Sequence, residues 1–210
     1  MKNHISNNII IRNETKEDYR KVEKLVRESF WDLYRPGCYE HYIVHKMRDD
    51  KNFIHELDLI LELNDQIIGQ VMFVKTCLKV KENDIEVLTL GPICIDSKFK
   101  RKGLGQKLLN YSLMKAKELG YKAVLLEGNI LFYGKSGFDY AYKYQIKYPG
   151  LNEFNDSSLF LCKELEKGYI KDKNTEYIIP ECYYATQNEV EEFDKTFQHK
   201  AKHKYSTQIF

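Results

Sequence analysis

Residues 88–109 read "LTLGPICIDSKFKRKGLGQKLL", and the division of this stretch into elements decides the fold. An apolar strand carries an interruption at Gly91-Pro92 and ends near Ile95-Asp96; a basic crossing follows, and a helix starts at the second of two glycines, Gly103 and Gly105. Proline removes a ladder donor and glycine loosens the backbone, so a bulge or splay is expected at Gly91-Pro92. Beyond the loop, "GLGQKLLNYSLMKAKELG" sets Leu104, Leu108, Leu109, Leu113 and Ala116 on one helical face, with Gly120 as C-cap. "YKAVLLEG" is then an almost continuous apolar run, as expected of a strand buried on both faces. Strand, helix and strand in this order predict a right-handed crossover and a parallel strand pair.

Upstream, "HELDLILEL", "QIIGQVMFVKTCLKV" and "IEVLTLGPICI" are strand-like and separated by Asn64-Asp65 and by "KENDI", which predicts an antiparallel meander. "NIIIRNE" and "TKEDYRKVEKLVRESF" give a further strand and helix, with Tyr19, Val22, Leu25, Val26 and Phe30 in helical register. Thr15 and Asp18 resemble a capping box at the start of that helix. A second helical stretch follows the Pro36-Gly37 break. Downstream, "NILFYGKSGF" leads to "DYAYKYQIKY", whose alternating aromatics read as a strand. After Pro149-Gly150, "SLFLCKEL", "TEYIIPECYYA" and the charged helical pattern "NEVEEFDKTFQHKAKHK" read as a mixed extension. The expected organisation is one α/β domain over residues 1–148, with a mixed, largely antiparallel sheet and one splayed parallel pair, and an extension over 149–210 packed on it.

The composition excludes several classes. Hydrophobic residues make up 43% and the formal net charge is +2, so the chain folds as an ordinary globular protein and has no overall field for nucleic acid. Apolar runs are far shorter than a membrane span and "MKNHISNN" lacks the apolar core of a signal peptide, which points to the cytoplasm. The five cysteines lack C-x-x-C spacing and read as buried thiols. His41 and His45 stand four apart on one helix, but no third ligand has a spacing that completes a metal site, and none is expected.

The glycine loop carries the chemistry. A P-loop needs G-x-x-x-x-G-K-[ST], and here Lys107 is followed by leucine; the dinucleotide fingerprint wants glycine at position 108, also leucine. What remains is a helix N-terminus with unpaired N–H groups, glycines that let an anion approach the backbone, and the positive charges of Lys98, Lys100, Arg101 and Lys102. A phosphate or pyrophosphate suits it, and a solvated basic turn is the plainer alternative.

Residues 88–138 resemble the acetyl-CoA-binding heart of the GNAT acetyltransferase superfamily, in the bacterial branch with "LGP" leading the central strand and Tyr-x-x-x-Gly-Phe after the parallel strand. The resemblance implies that Lys100, Arg101, Lys102, Gly103, Leu104, Gly105 and Gln106 hold the coenzyme A pyrophosphate, chiefly through backbone N–H groups. Lys100 stands where the family has glutamine or arginine. It further implies that the pantetheine arm lies along Ile93, Cys94 and Ile95, with Asn129 beside it, and that Tyr133 stands near the thioester sulfur. A phenol there can protonate or stabilise the leaving thiolate. The attacking amine must lose a proton, for which Glu127 and Glu86 are the candidates. The implied activity is acetyl transfer from acetyl-CoA to a primary amine by direct attack in a ternary complex, without a metal. The acceptor is a small molecule or a protein amine, and a homodimer is compatible with it. A covalent route through Cys94 and a non-catalytic acyl-CoA sensor are the alternatives. Aromatics around Trp31, Tyr34, Tyr39, Tyr42 and His45, together with the extension, are expected to shape the acceptor cleft or to serve as core.

Overall fold

The computed structural model describes residues 8–80, 83–150, 158–171 and 174–208. The change from a β-branched run to a helical apolar period gives β1 (Ile9–Asn13) and α1 (Tyr19–Phe30), which buries Val22, Leu25 and Val26. The Thr15/Asp18 pair forms only half a capping box. Asp18 accepts from the Thr15 N–H at 3.0 Å, but the Thr15 hydroxyl donates to the same carboxylate at 2.8 Å instead of accepting from the helix. Arg12, 2.6 Å from Asp18, holds that carboxylate low, at about 2. After the Pro36-Gly37 break comes α2 (Glu40–Met47).

β2 (Leu59–Leu63), β3 (Gln66–Lys79) and β4 (Ile85–Ile95) form the expected antiparallel meander. Asn64 and Asp65 both have positive φ, 50° and 63°, as a two-residue hairpin turn demands. The "KENDI" turn lies partly outside the described residues. α3 (Leu104–Glu118) buries Leu104, Leu108, Leu109, Leu113 and Ala116, and β5 (Ala123–Glu127) returns parallel to β4. A short helix α4 (Ile130–Tyr133) follows.

The expected strand "DYAYKYQIKY" is broken in two. β6 (Asp139–Tyr140) pairs with β8 (Phe160–Glu164), and β7 (Ile146–Lys147) pairs with β9 (Thr175–Tyr177). Between them Ala141–Tyr144 make a 3-10 turn that ends on Gln145 at φ 56°. Alternating aromatics satisfy a strand pattern, but here the chain changes partner strands, and a left-handed residue makes the corner. The strand order is β1-β2-β3-β4-β5-β8-β6, with β9 pairing β3 as well as β7. The C-terminal sixty residues therefore supply strands to the sheet. The last helical pattern forms only α5 (Gln187–Asp194), started by a full capping box of Thr186 and Glu189. Among the described residues no helix is long and apolar enough to cross a membrane.

Two faces of the sheet have different covers. Leu88, Leu90, Val124 and Leu126 pack towards α3. Val87, Ala123 and Leu125 face the other way and meet Ile146, Phe160, Ile170 and Tyr177 from the C-terminal segments. On that second side, further along the sheet, α1 and α2 cover Ile60, Met72, Val74 and Cys94. The tail is tied to α1 and α2 by Arg27–Asp194 at 2.6 Å and by Trp31 Nε1 donating to Ala201 O at 3.0 Å. It also fixes the loop between those helices. Asp32 accepts from the Gly37 N–H at 2.7 Å and the His203 N–H at 3.1 Å, and its carbonyl accepts from Gln208 at 3.0 Å.

Candidate active site

The parallel pairing of β4 and β5 is short: Leu88 faces Val124 and Thr89 faces Leu125, and no further pair forms. Two residues beyond the last pair on each strand are Gly91 and Glu127, where the two strands no longer pair. On the other edge of β4, Val71 faces Ile93 and Phe73 faces Leu90, so Gly91 and Pro92 together oppose Met72. This is the expected bulge; Gly91 has φ 147°, open to glycine alone. The bulge detaches the Gly91 carbonyl from the ladder, and Tyr183 Oη donates to it at 2.7 Å. Ile93, Cys94 and Ile95 remain paired with β3, which leaves their β5-side backbone groups outside any ladder.

Past Ile95 the chain makes a 3-10 turn at Ser97–Phe99, with Asp96 accepting from the Lys98 N–H at 2.9 Å. Arg101 (φ 60°) and Gly103 (φ 79°) are left-handed, and Gly103 is the N-cap of α3. An added Cβ at Gly103 would meet no atom within 4 Å, so the glycine is there for conformation and open approach, not to avoid a neighbour. The N–H groups of Leu104, Gly105 and Gln106 are the unpaired first-turn donors. Lys98, Lys100, Arg101 and Lys102 are all exposed around them. The Gln106 side chain is engaged elsewhere: Nε2 donates to Phe132 O and Oε1 accepts from Ser136 Oγ, both at 2.9 Å. It ties α3 to α4, and its main chain is what it offers to an anion. Gly105 admits the Phe132 ring, which would stand 3.3 Å from a Cβ.

Tyr133 lies on α4 with its ring edge-on to Phe132 and Phe138 at 4.9 and 5.8 Å. Its ring covers Gly128 so closely that a Cβ there would come within 2.2 Å of it. The Tyr133 phenol makes no hydrogen bond among the described residues. Burial, then the neighbouring Tyr34, pushes it up from the ordinary phenol value, so it keeps its proton. Asn129 Oδ1 caps α4 by accepting from the Leu131 N–H at 2.8 Å, which leaves its Nδ2 as the group free to serve a ligand.

Glu127 accepts from Tyr148 Oη at 2.5 Å. On the same face Thr89 Oγ1 and Tyr177 Oη bond at 2.7 Å, and the Tyr148 and Tyr177 rings are 6.0 Å apart. Glu86 is elsewhere: exposed near the start of β4, it lines a cavity of about 860 Å³ with Lys46, Asp50, Cys77 and Cys182. Cys94 is 7% exposed and packed under α1, and burial lifts its thiol to about 12. His41 and His45 both pack against the Phe193 ring but face different carboxylates, His41 Asp194 at 3.2 Å and His45 Glu23 at 3.0 Å. Tyr148, Tyr183 and Gly128 were not singled out from the sequence. Gly128 had a signal, a glycine directly after the apolar strand, whereas Tyr183 had none that separates it from fifteen other tyrosines.

A bulged strand, a short parallel pair that opens beyond it, an exposed glycine loop at a helix N-terminus and a half-buried phenol are arranged as in the GNAT fold. The chain belongs to that family: the acetyltransferase (GNAT) family model matches residues 25–138. Over 144 residues it is 28% identical to the uncharacterized N-acetyltransferase YhbS of Escherichia coli, a match covering 68% of this chain and 81% of that one. The crystal structure of YhbS in complex with CoA superposes with a TM-score of 0.68 at 25% identity, over 82% of this chain and 91% of that one. A GNAT family acetyltransferase from Brucella melitensis, in complex with acetyl-CoA, shares the fold with a TM-score of 0.67 at 18% identity, over 85% and 99% of the two chains.

Proposed function

We propose that the chain moves an acetyl group from acetyl-CoA to a primary amine by direct attack in a ternary complex. The observation that carries this is the Tyr133 phenol, protonated, half-buried and without a hydrogen-bond partner among the described residues, beside a strand pair that opens at Gly91 and Glu127. The site fits the coenzyme at three points: open first-turn N–H groups behind Gly103, unladdered backbone along Ile93–Ile95, and the slot beyond Thr89 and Leu125. Acetyl-CoA supplies an activated thioester, whose C–S bond breaks as the C–N bond forms, the electron pair leaving on sulfur.

The residues divide the remaining work. The main chain from Lys100 to Gln106, with the charges of Lys100, Arg101 and Lys102, holds the pyrophosphate. Asn129 Nδ2 and the backbone of Ile93, Cys94 and Ile95 hold the pantetheine amides. Tyr133 donates its proton towards the departing sulfur, acting as general acid. Glu127, at the mouth of the splay, takes the proton that an ammonium must lose before its nitrogen can attack. Glu86 stands at the far end of β4, five residues before Gly91, so Glu127 is the base we favour. A thiol lifted by burial, as Cys94 is, favours direct transfer over an acyl-cysteine.

Release of free CoA from acetyl-CoA, followed with a panel of primary amines, tests the reading. Amine-dependent release supports it; tight acetyl-CoA binding with no release for any amine would instead favour a sensor. Full turnover in Cys94→Ala is expected.

A further inference from the structure

The face of the splay opposite α3 is lined by oxygens whose protons already point elsewhere. Tyr148 Oη gives its proton to Glu127 at 2.5 Å, and Tyr183 Oη gives its proton to the Gly91 carbonyl at 2.7 Å. Gly91 and Glu127 each stand two residues past the last β4–β5 pair, and the Glu127 charge acts on Tyr183, so these two hydrogen bonds lie beside one opening. Each phenol has a single O–H, so what both oxygens have left is lone pairs, and Glu127 adds an anionic carboxylate. Among the described residues Glu127 is in no ion pair; its partner is the Tyr148 phenol. These three groups only accept, so what they hold must donate, and the carboxylate favours positive charge.

The surroundings agree. Tyr34, 39% exposed, and Tyr184, 60% exposed, present rings to solvent here: Tyr34 feels the charges of Glu40 and Glu127, and Tyr184 acts on Tyr148. Aromatic faces attract a cation or stack on an apolar body. The positive charges of Lys98, Lys100, Arg101 and Lys102 follow the C-terminal end of β4, at the start of α3. Lys46 Nζ reaches the edge of this face and donates to the Tyr184 carbonyl at 2.7 Å, and the Arg35 guanidinium lies over the Tyr39 ring at 4.2 Å.

Building on the acetyl-transfer reading, we infer that Glu127, Tyr148 and Tyr183 form the acceptor subsite, and that it takes a primary alkylammonium on a neutral, apolar or aromatic body without a carboxylate or phosphate. A primary ammonium brings three N–H donors, enough for the carboxylate and two phenol oxygens. An amino acid would set its own carboxylate against Glu127, where like charges repel. Tyr148 and Tyr183 both lie beyond residue 138, so this chain adds its own chemistry to the matched core.

The test separates this inference from acetyl transfer itself. Phenethylammonium, which carries three N–H donors and cannot be acetylated while acetyl-CoA is absent, is titrated into the protein by calorimetry, and acetyl-CoA is titrated separately. The expected result is binding of the cation that weakens about tenfold in Glu127→Gln, with acetyl-CoA affinity unchanged. In turnover, phenethylamine should exceed phenylalanine at least tenfold in kcat/KM. No binding of the cation, binding indifferent to both Glu127→Gln and Tyr148→Phe, or a preference for phenylalanine would each overturn the subsite. Failure of acetyl-CoA to bind, with the cation still held by Glu127, would instead strike at the acetyl-transfer reading and leave the subsite supported.

Discussion

The two ends of the splay are built from different materials. The α3 end is made of main chain: left-handed Arg101 and Gly103, open first-turn N–H groups and a rim of exposed lysines and arginine. The opposite face is made of side chains, Glu127, Tyr148, Tyr177 and Tyr183, gathered from four separate segments. A backbone site depends on loop geometry and tolerates many side chains, whereas a side-chain site is specific and easily rewritten. One end can therefore be common to a family while the other belongs to a single chain.

The largest effect should come from charge at the backbone end. Gly103→Glu puts a carboxylate where an anion is to bind, and like charges facing each other cost several kcal/mol, so acetyl-CoA affinity by calorimetry should fall roughly a thousand-fold. Because a Cβ at Gly103 meets nothing, Gly103→Ala should cost only the left-handed strain, about 1–2 kcal/mol. Equal losses in the two variants would mean that geometry, not charge, governs this end. Tyr133→Phe comes next. It should lower kcat by about 10²-fold with little change in the KM for acetyl-CoA. Since burial holds the Tyr133 proton on well past the ordinary phenol range, wild-type kcat should show no alkaline fall near pH 9–10 from this group.

The same contrast explains what the sequence disclosed. The coenzyme end is contiguous, so glycine spacing, helix start and basic charge are read in one pass, and the meander and crossover follow from periodicity. The acceptor face depends on contacts between residues 89, 91, 127, 148, 177 and 183, which no local period connects. Tyr183 is one tyrosine of 16, and its role arises only because a bulge orphans the Gly91 carbonyl. Likewise the broken "DYAYKYQIKY" strand satisfies period two and fails because its halves pair with different strands.

The tail offers a way to disturb the side-chain end alone. Asp194 bonds Arg27 at 2.6 Å, and the Arg27 side chain is only 4% exposed. Removing one member of a largely buried pair leaves the other uncompensated. Asp194→Ala should cost about 3 kcal/mol in urea unfolding, the low end of that range because Asp194 is itself 17% exposed. Loosening the tail frees the Asp32 loop that carries Tyr34, so the amine KM should rise severalfold while acetyl-CoA affinity holds. Loss of both affinities together would mean that the two ends are not separable.

A stability change that touches neither end completes the comparison. Asp58, 3% exposed at the start of β2, is pushed well above the carboxylate range by burial, then by its hydrogen bond to Glu14 and the charges of Glu14 and Asp18, against the opposing pull of Arg48. A carboxyl raised in the folded state stabilises below its unfolded value, near 4, and that contribution is lost as pH climbs towards the folded one. Asp58→Asn can donate to Glu14 as the protonated acid does, but it does not titrate. The variant should match wild type near pH 4 and exceed it by on the order of 1 kcal/mol at pH 8, in urea unfolding at the two pH values. Its KM values for acetyl-CoA and amine should stay unchanged. An unaltered pH slope would mean that Asp58 is already ionised in the folded protein, with Arg48 outweighing burial and Glu14.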